Sequence, residues 1–308
     1  MKCFITVIII FLTHILCFIF IISGFCQDFG YEGQEGPVHW GEKYEHCVGK
    51  HQSPINILVH NVHMVHLTPM IFKNFHLPID EAILTNNGHT VVVTFQMQHP
   101  LIVSGGPLIG DYEFTQLHFH WGANNGEGSE NTINNSSYPL EAHAVFYQKA
   151  YGSPQEAVDH PDGLAVLSFL YQVSDRNNEN YGRIVNVLPN VKEPNTNATI
   201  YNFPELQKLI VKDTSVYYVY GGSLTTPPCN EAVTWIEFTD TVPIAPNQID
   251  IFRQLNGEYG KLNHNFRPVQ PLHGRIIRMN RGLDHISIAM QHSYSWCTII
   301  INMFILKF

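Results

Sequence analysis

The segment Gln116-Leu117-His118-Phe119-His120-Trp121 alternates polar with large apolar residues. In an extended strand successive side chains point to opposite faces, so Gln116, His118 and His120 share one face while Leu117, Phe119 and Trp121 share the other. Two imidazoles therefore converge. In Glu141-Ala142-His143-Ala144-Val145 the same parity groups Glu141, His143 and Val145, and a neighbouring antiparallel strand could bring this third imidazole to the pair. Three His with no fourth protein ligand describe an open, catalytic Zn²⁺ site, whereas structural zinc sites are closed and usually contain Cys. Each strand also carries a hydrogen-bond acceptor two residues before a histidine on the same face, Gln116 before His118 and Glu141 before His143. Metal-bound imidazoles need such partners to fix their tautomer. Against this, the chain has 18 His, enough for chance alone to supply about one His-x-His pair. Spacing alone leaves a metal site and a polar core both open.

The elements that must position these residues read as mostly strands. Short alternating or β-branched runs recur at Thr90 to Phe95, Gln116 to Trp121, Glu141 to Tyr147, Val216 to Tyr220 and Val233 to Phe238, separated by Asn-Gly, Gly-Gly-Pro and Pro-Pro turns. Helical pattern is confined to Pro204 to Val211 and Pro246 to Leu255, each opening on a proline suited to a first helical turn. No linker-like stretch divides residues 28–280 and no repeat is visible, so one domain is expected. Of the 308 residues 44% are hydrophobic, enough for a substantial core. The net charge of −9, with no Lys/Arg-rich block, argues against nucleic-acid binding.

The ends of the chain read differently. Lys2 precedes an apolar run from Cys3 to Ile22, followed by the small residues Gly24 and Cys26. This predicts a signal peptide over residues 1–26, a retained anchor being the alternative. Cys3, Cys17 and Cys26 would leave with it and Cys297 lies in an apolar tail, so Cys47 and Cys229 are the cysteines of the body. In an oxidising compartment the pair is expected to form a disulfide, with two separate buried thiols as the alternative. Closing so long a loop is worth at most roughly 5 kcal/mol in the chain-entropy account. Sequons at Asn134, Asn135 and Asn197 fit the same secretory route. Residues 281–308 form a spacer and an apolar tail, Trp296 to Phe308, too short to span a bilayer but of the length a GPI signal requires. The best attachment triplet is Ser287-Ile288-Ala289, in which Ile288 fits poorly; a loose tail on a fully secreted enzyme is the alternative.

Further motifs give these residues a family. The chain resembles an alpha-class carbonic anhydrase of the secreted or membrane-attached type from about Phe29 to Arg278, within a domain placed at residues 27–280. The motifs are Gly36-Pro37-Val38-His39-Trp40, Gln52-Ser53-Pro54-Ile55-Asn56-Ile57, Asn86-Asn87-Gly88-His89, Gln116 to Gly122, Gly128-Ser129-Glu130, Glu141-Ala142-His143, Ser223-Leu224-Thr225-Thr226-Pro227-Pro228 and Asn265-Phe266-Arg267-Pro268. The resemblance implies a mostly β (α+β) fold built on one large, twisted, mostly antiparallel sheet with short helices. It implies Zn²⁺ on His118, His120 and His143, with Gln116, Glu141 and the Asn265 carbonyl behind them. The implied reaction is reversible hydration of carbon dioxide to bicarbonate and a proton. Zinc hydroxide is the implied nucleophile, oriented by Thr225 and Glu130 in a pocket of Val145, Val166, Leu224, Thr226 and Trp235.

The same resemblance makes His89 the proton shuttle, and assigns Tyr31, Asn87 and Thr226 to the connecting waters. It also supports the Cys47–Cys229 pairing. Three departures stand out: Val92 where active relatives commonly have Asn or Gln, Phe29 where Trp is frequent, and Asn131 in place of a frequent His, which puts the hydrogen bonding around Glu130 in question. Non-catalytic relatives that serve as binding domains lack a zinc histidine, and this chain has all three.

Overall fold

A computed structural model describes residues 29–281. The expected signal peptide and all but Arg281 of the expected tail lie outside the described residues. Ten strands form the backbone of a 13-stranded sheet. They are β1 (His63–Val65), β2 (Ile79–Asn86), β3 (Val91–Thr94), β4 (Leu108–Trp121), β5 (Leu140–Gln148), β6 (Leu164–Val173), β7 (Thr196–Phe203), β8 (Tyr217–Gly222), β9 (Val233–Phe238) and β10 (Arg278–Asn280). Their spatial order is β7-β2-β3-β4-β5-β6-β9-β8-β10-β1. Met70–Lys73, Ile102–Gly105 and Val242–Ile244 pair beside this path.

Most neighbours are antiparallel, and the parallel contacts are β6 with β9, β6 with Val242–Ile244, and β10 with β1. β6 runs buried from Leu164 to Tyr171, the near-continuous apolar pattern of a strand covered on both faces. All five strand-like runs of the sequence fall on strands. The two helical runs shorten to Leu206–Leu209 and Pro246–Phe252. The first cannot begin at Pro204, because Glu205 keeps a non-helical backbone with ψ 138°, and it survives as one turn that buries Leu206 and Leu209.

A bulge in β4 decides which face the histidines take. Phe114 pairs with Phe146, but the next partners are Gln116 and Val145, so Thr115 is an extra residue. One extra residue reverses the parity of everything that follows. Before it Tyr112 faces the main core; after it Leu117, Phe119 and Trp121 do. Without the bulge, unbroken alternation would put His118 and His120 on the face of Tyr112 and Phe114. With it, His118 sits directly across from His143 on β5 and from Val92 on β3.

The main core therefore packs one face of the sheet. A second apolar cluster of Ile55, Ile57, Val145, Val166, Tyr220, Val233 and Trp235 packs the other, beside the histidines. A third cluster joins Phe29 and Trp40 to the disulfide Cys47–Cys229, whose Cα atoms stand 4.9 Å apart.

Candidate metal centre

The three imidazoles meet, and their ligand-capable nitrogens lie within 4.8 Å of one another. His120 Nε2 is 3.1 Å from His143 Nδ1, which is 3.3 Å from His118 Nε2. The opposite nitrogen of each ring has an acceptor. His118 Nδ1 is 3.0 Å from Gln116 Oε1, His120 Nδ1 is 2.7 Å from the Asn265 carbonyl, and His143 Nε2 is 2.7 Å from Glu141 Oε1. A neutral imidazole carries one N–H, and these acceptors place it on the outer nitrogen of every ring. The inner nitrogens are then three converging lone pairs, which repel one another unless a cation sits among them. Two ligands bonded at about 2.0–2.1 Å to a tetrahedral ion stand roughly 3.3 Å apart, which is the spacing found. The residues fit Zn²⁺.

Electrostatics favours the ligand form. Burial, then the neighbouring imidazoles, hold His118 well below its usual pKa, and burial with His143 lowers His120 to about 3. Both rings are thus neutral at physiological pH, as metal binding requires. Burial opposes ionisation of Glu141, but His143 beside it and hydrogen bonds from His143 and Ser168 hold its carboxyl below the usual range. Five donors serve this one carboxylate: the backbone N–H groups of Glu130 and Asn131, the Asn131 amide, Ser168 and His143.

Glu130 reaches the same centre, with Oε2 3.4 Å from His120 Nε2 and 3.9 Å from His143 Nδ1. Burial and the charge of Glu141 push its carboxyl well above the usual range, while the Arg267 N–H and the Thr225 hydroxyl act in the opposite direction. Thr225 is 5% exposed, on the turn after β8. Apolar side chains wall the histidines on one side. Val166 pairs with Val145 on β5 and with Trp235 on β9, Leu224 packs on the same cluster, and the Trp235 ring meets His143 edge-on at 4.8 Å. Thr226 is half-buried one residue beyond Thr225.

His89 stands apart from the three imidazoles. It lies in the turn between β2 and β3, where Asn87 Oδ1 accepts from the His89 and Thr90 N–H groups and Gly88 takes φ +88°. Its ring stacks on Phe29 at 3.9 Å. With Tyr31, Tyr259 and His264 it lines a cleft of about 90 Å³. The Tyr31 hydroxyl is buried without a hydrogen-bond partner, and burial followed by the charge of Glu130 raises its pKa well above the usual range. A cavity of about 870 Å³ between Phe72, Asn178, Lys208 and Asp240 touches none of these residues. The sequons Asn134, Asn135 and Asn197 are all exposed.

Several residues in the shell around the histidines carry no motif and escape sequence reading. Asn131 raised a question about hydrogen bonding; in the structure its carboxamide is fully used. Nδ2 donates to Glu141 Oε1 and Glu237 Oε2, both at 3.0 Å. Oδ1 accepts from the Ile55 N–H and the Tyr220 hydroxyl. Ser168 and Glu237 were not anticipated at all. The only signal for them is a lone polar residue within an apolar, buried strand, as in Val166-Leu167-Ser168-Phe169 and Trp235-Ile236-Glu237-Phe238.

A twisted, mixed sheet that presents three converging imidazoles, backed by a carboxamide, a carbonyl and a carboxylate and walled by apolar residues, fits an open zinc site. The eukaryotic-type carbonic anhydrase family model matches residues 35–281. The chain is 37% identical over 257 residues to carbonic anhydrase 7 of Mus musculus, covering 81% of this chain and 96% of that protein. It is 38% identical over 263 residues to carbonic anhydrase 15 of Mus musculus (80% and 81%) and 35% identical over 255 residues to carbonic anhydrase 6 of Bos taurus (81% and 79%). The chain belongs to the alpha-class, eukaryotic-type carbonic anhydrase family.

Proposed function

We propose that the chain catalyses reversible hydration of carbon dioxide to bicarbonate and a proton at Zn²⁺ held by His118, His120 and His143. The observation that carries this reading is the set of three inner nitrogens 3.1 and 3.3 Å apart, each ring oriented by an acceptor on its far side. A bound Zn²⁺ would lower the pKa of a coordinated water to about 7, supplying a nucleophile at neutral pH.

The protein's own groups do the rest. Glu141, Gln116 and the Asn265 carbonyl hold the rings in the tautomer whose lone pair faces inward. Thr225 donates its hydroxyl proton to Glu130, which leaves its oxygen to accept from the attacking nucleophile and so fixes the direction of attack. Val145, Val166, Leu224 and Trp235 offer carbon dioxide an apolar wall and exclude competing water, with Thr226 at its polar side. His89 takes the released proton to solvent through water held by Tyr31, Asn87 and Thr226. The test is zinc content together with carbon dioxide hydration on the purified domain: one Zn²⁺ per chain and full activity are expected, and a fully active metal-free protein would sink the reading.

We further propose that the chain follows the secretory route, with residues 1–26 removed, glycans on exposed sequons and residues 281–308 serving as a GPI signal. The body disulfide and the exposed Asn134, Asn135 and Asn197 support this. Expressed in animal cells, the enzyme should be released from the outer surface by a phosphatidylinositol-specific phospholipase. Accumulation in the medium of chains still ending at Phe308 would overturn the anchor and leave the enzyme reading intact.

A further inference from the structure

Glu237 is a fully buried carboxyl that takes no part in the chemistry above. It lies on β9, level with Ser168 of β6, which is itself level with His143 of β5. Those three positions form one row across the sheet, on the face of the metal centre. Asn131 closes the row from above. One amide nitrogen, Asn131 Nδ2, donates to Glu237 Oε2 and to Glu141 Oε1 at 3.0 Å each. Because an amide has two N–H donors and one accepting oxygen, each end of Asn131 is matched: two acceptors at Nδ2, two donors at Oδ1.

We propose that Glu237 is a positioning residue of the zinc site: its carboxyl fixes the Asn131 amide in the orientation that donates to Glu141, the carboxylate that orients His143. The alternatives available to Asn131 show why the second acceptor matters. If Oε2 of Glu237 were absent, one buried N–H of Asn131 would have no partner. An unsatisfied buried donor costs about 1–3 kcal/mol, and Asn131 would relieve it by turning away from Glu141. Glu141 would then lose one of its five donors and the His143 ring its fixed support. Groups that hold a ligand from behind in this way are worth about 10–100-fold in metal affinity. Burial and the charge of Glu141 push the Glu237 carboxyl well above the usual carboxylate range, and a glutamine reproduces the oxygen that accepts from Asn131.

This rests on the reading of the three imidazoles as a zinc site, and the readout is metal affinity of the zinc-stripped protein, measured by competition with a chromophoric chelator. Glu237→Gln should keep affinity within a few-fold of wild type. Glu237→Met, of similar length but without an acceptor, should lose about 10–100-fold. In an Asn131→Ala background the two Glu237 variants should bind zinc equally, since the intermediary is gone. A wild-type protein that binds no Zn²⁺ would sink the zinc reading itself. A folded Glu237→Met with unchanged affinity, a Glu237→Gln as weak as Glu237→Met, or unequal affinities in the Asn131→Ala background would overturn the role of Glu237. If neither Glu237→Met nor Glu237→Ala folds while Glu237→Gln binds zinc normally in both backgrounds, Glu237 is a stability residue and the proposal also fails.

Discussion

Replacing His120 by alanine is expected to abolish carbon dioxide hydration and to weaken Zn²⁺ binding by more than about 100-fold, beyond what any residue behind a ligand contributes. His120 is enclosed by its partners: Nδ1 meets the Asn265 carbonyl, while Nε2 stands 3.1 Å from His143 and 3.4 Å from Glu130. Its removal takes one of three lone pairs from the centre and also exposes Glu130 to an unfilled space. The two remaining nitrogens make a bidentate site, which lacks the closed pyramid an open catalytic site needs. The fold should survive, because Asn265 still holds the strand through the Trp121 N–H at 2.7 Å and the Phe119 carbonyl at 3.1 Å. Zinc titration and stopped-flow hydration, with thermal unfolding as the control for folding, check this. A His120→Ala protein that hydrates carbon dioxide at the wild-type rate would remove His120 from the site.

How much of this centre could be read in advance depended on the range of the interaction. The strand parity of Gln116 to Trp121 and of Glu141 to Val145 is local, and it groups His118 with Gln116 and His143 with Glu141 by face. What local parity cannot show is which face that is. The Thr115 bulge, three residues upstream of His118, sets it, and Phe114-Thr115-Gln116 carries no glycine or other mark of a bulge. The register that places His118 across from His143 is likewise a pairing of residues 25 apart. Asn265, far along the chain, entered only through family resemblance, since a backbone carbonyl leaves no trace in residue type. Asn131 and Glu237 illustrate the opposite limit. Both types are ordinary on a surface, and only the contact of Asn131 Nδ2 with Glu237 Oε2, across 106 residues, shows that they meet in the interior.

Removing the His89 imidazole should lower kcat by up to about 100-fold, the lower end of what a positioned proton carrier contributes, with kcat/KM nearly unchanged. The separation follows from position. His89 belongs to the turn between β2 and β3 and lies outside the three-imidazole cluster, so carbon dioxide conversion proceeds without it and only regeneration of the nucleophile slows. The alanine variant should leave the turn intact, because the backbone is held by groups other than the ring. Asn87 Oδ1 accepts from the His89 N–H, and Asn265 Nδ2 donates to the His89 carbonyl at 3.1 Å. The stack of the His89 ring on Phe29 is lost. Val92 sharpens the dependence, since it faces His118 across the strands and offers water no hydrogen bond on that wall. Imidazole added as buffer should therefore restore kcat in His89→Ala in a concentration-dependent way, by supplying the missing carrier from solution. A parallel fall in kcat and kcat/KM that imidazole does not reverse would instead place His89 among the supports of the metal centre, acting through the Asn265 bridge that joins its carbonyl to His120.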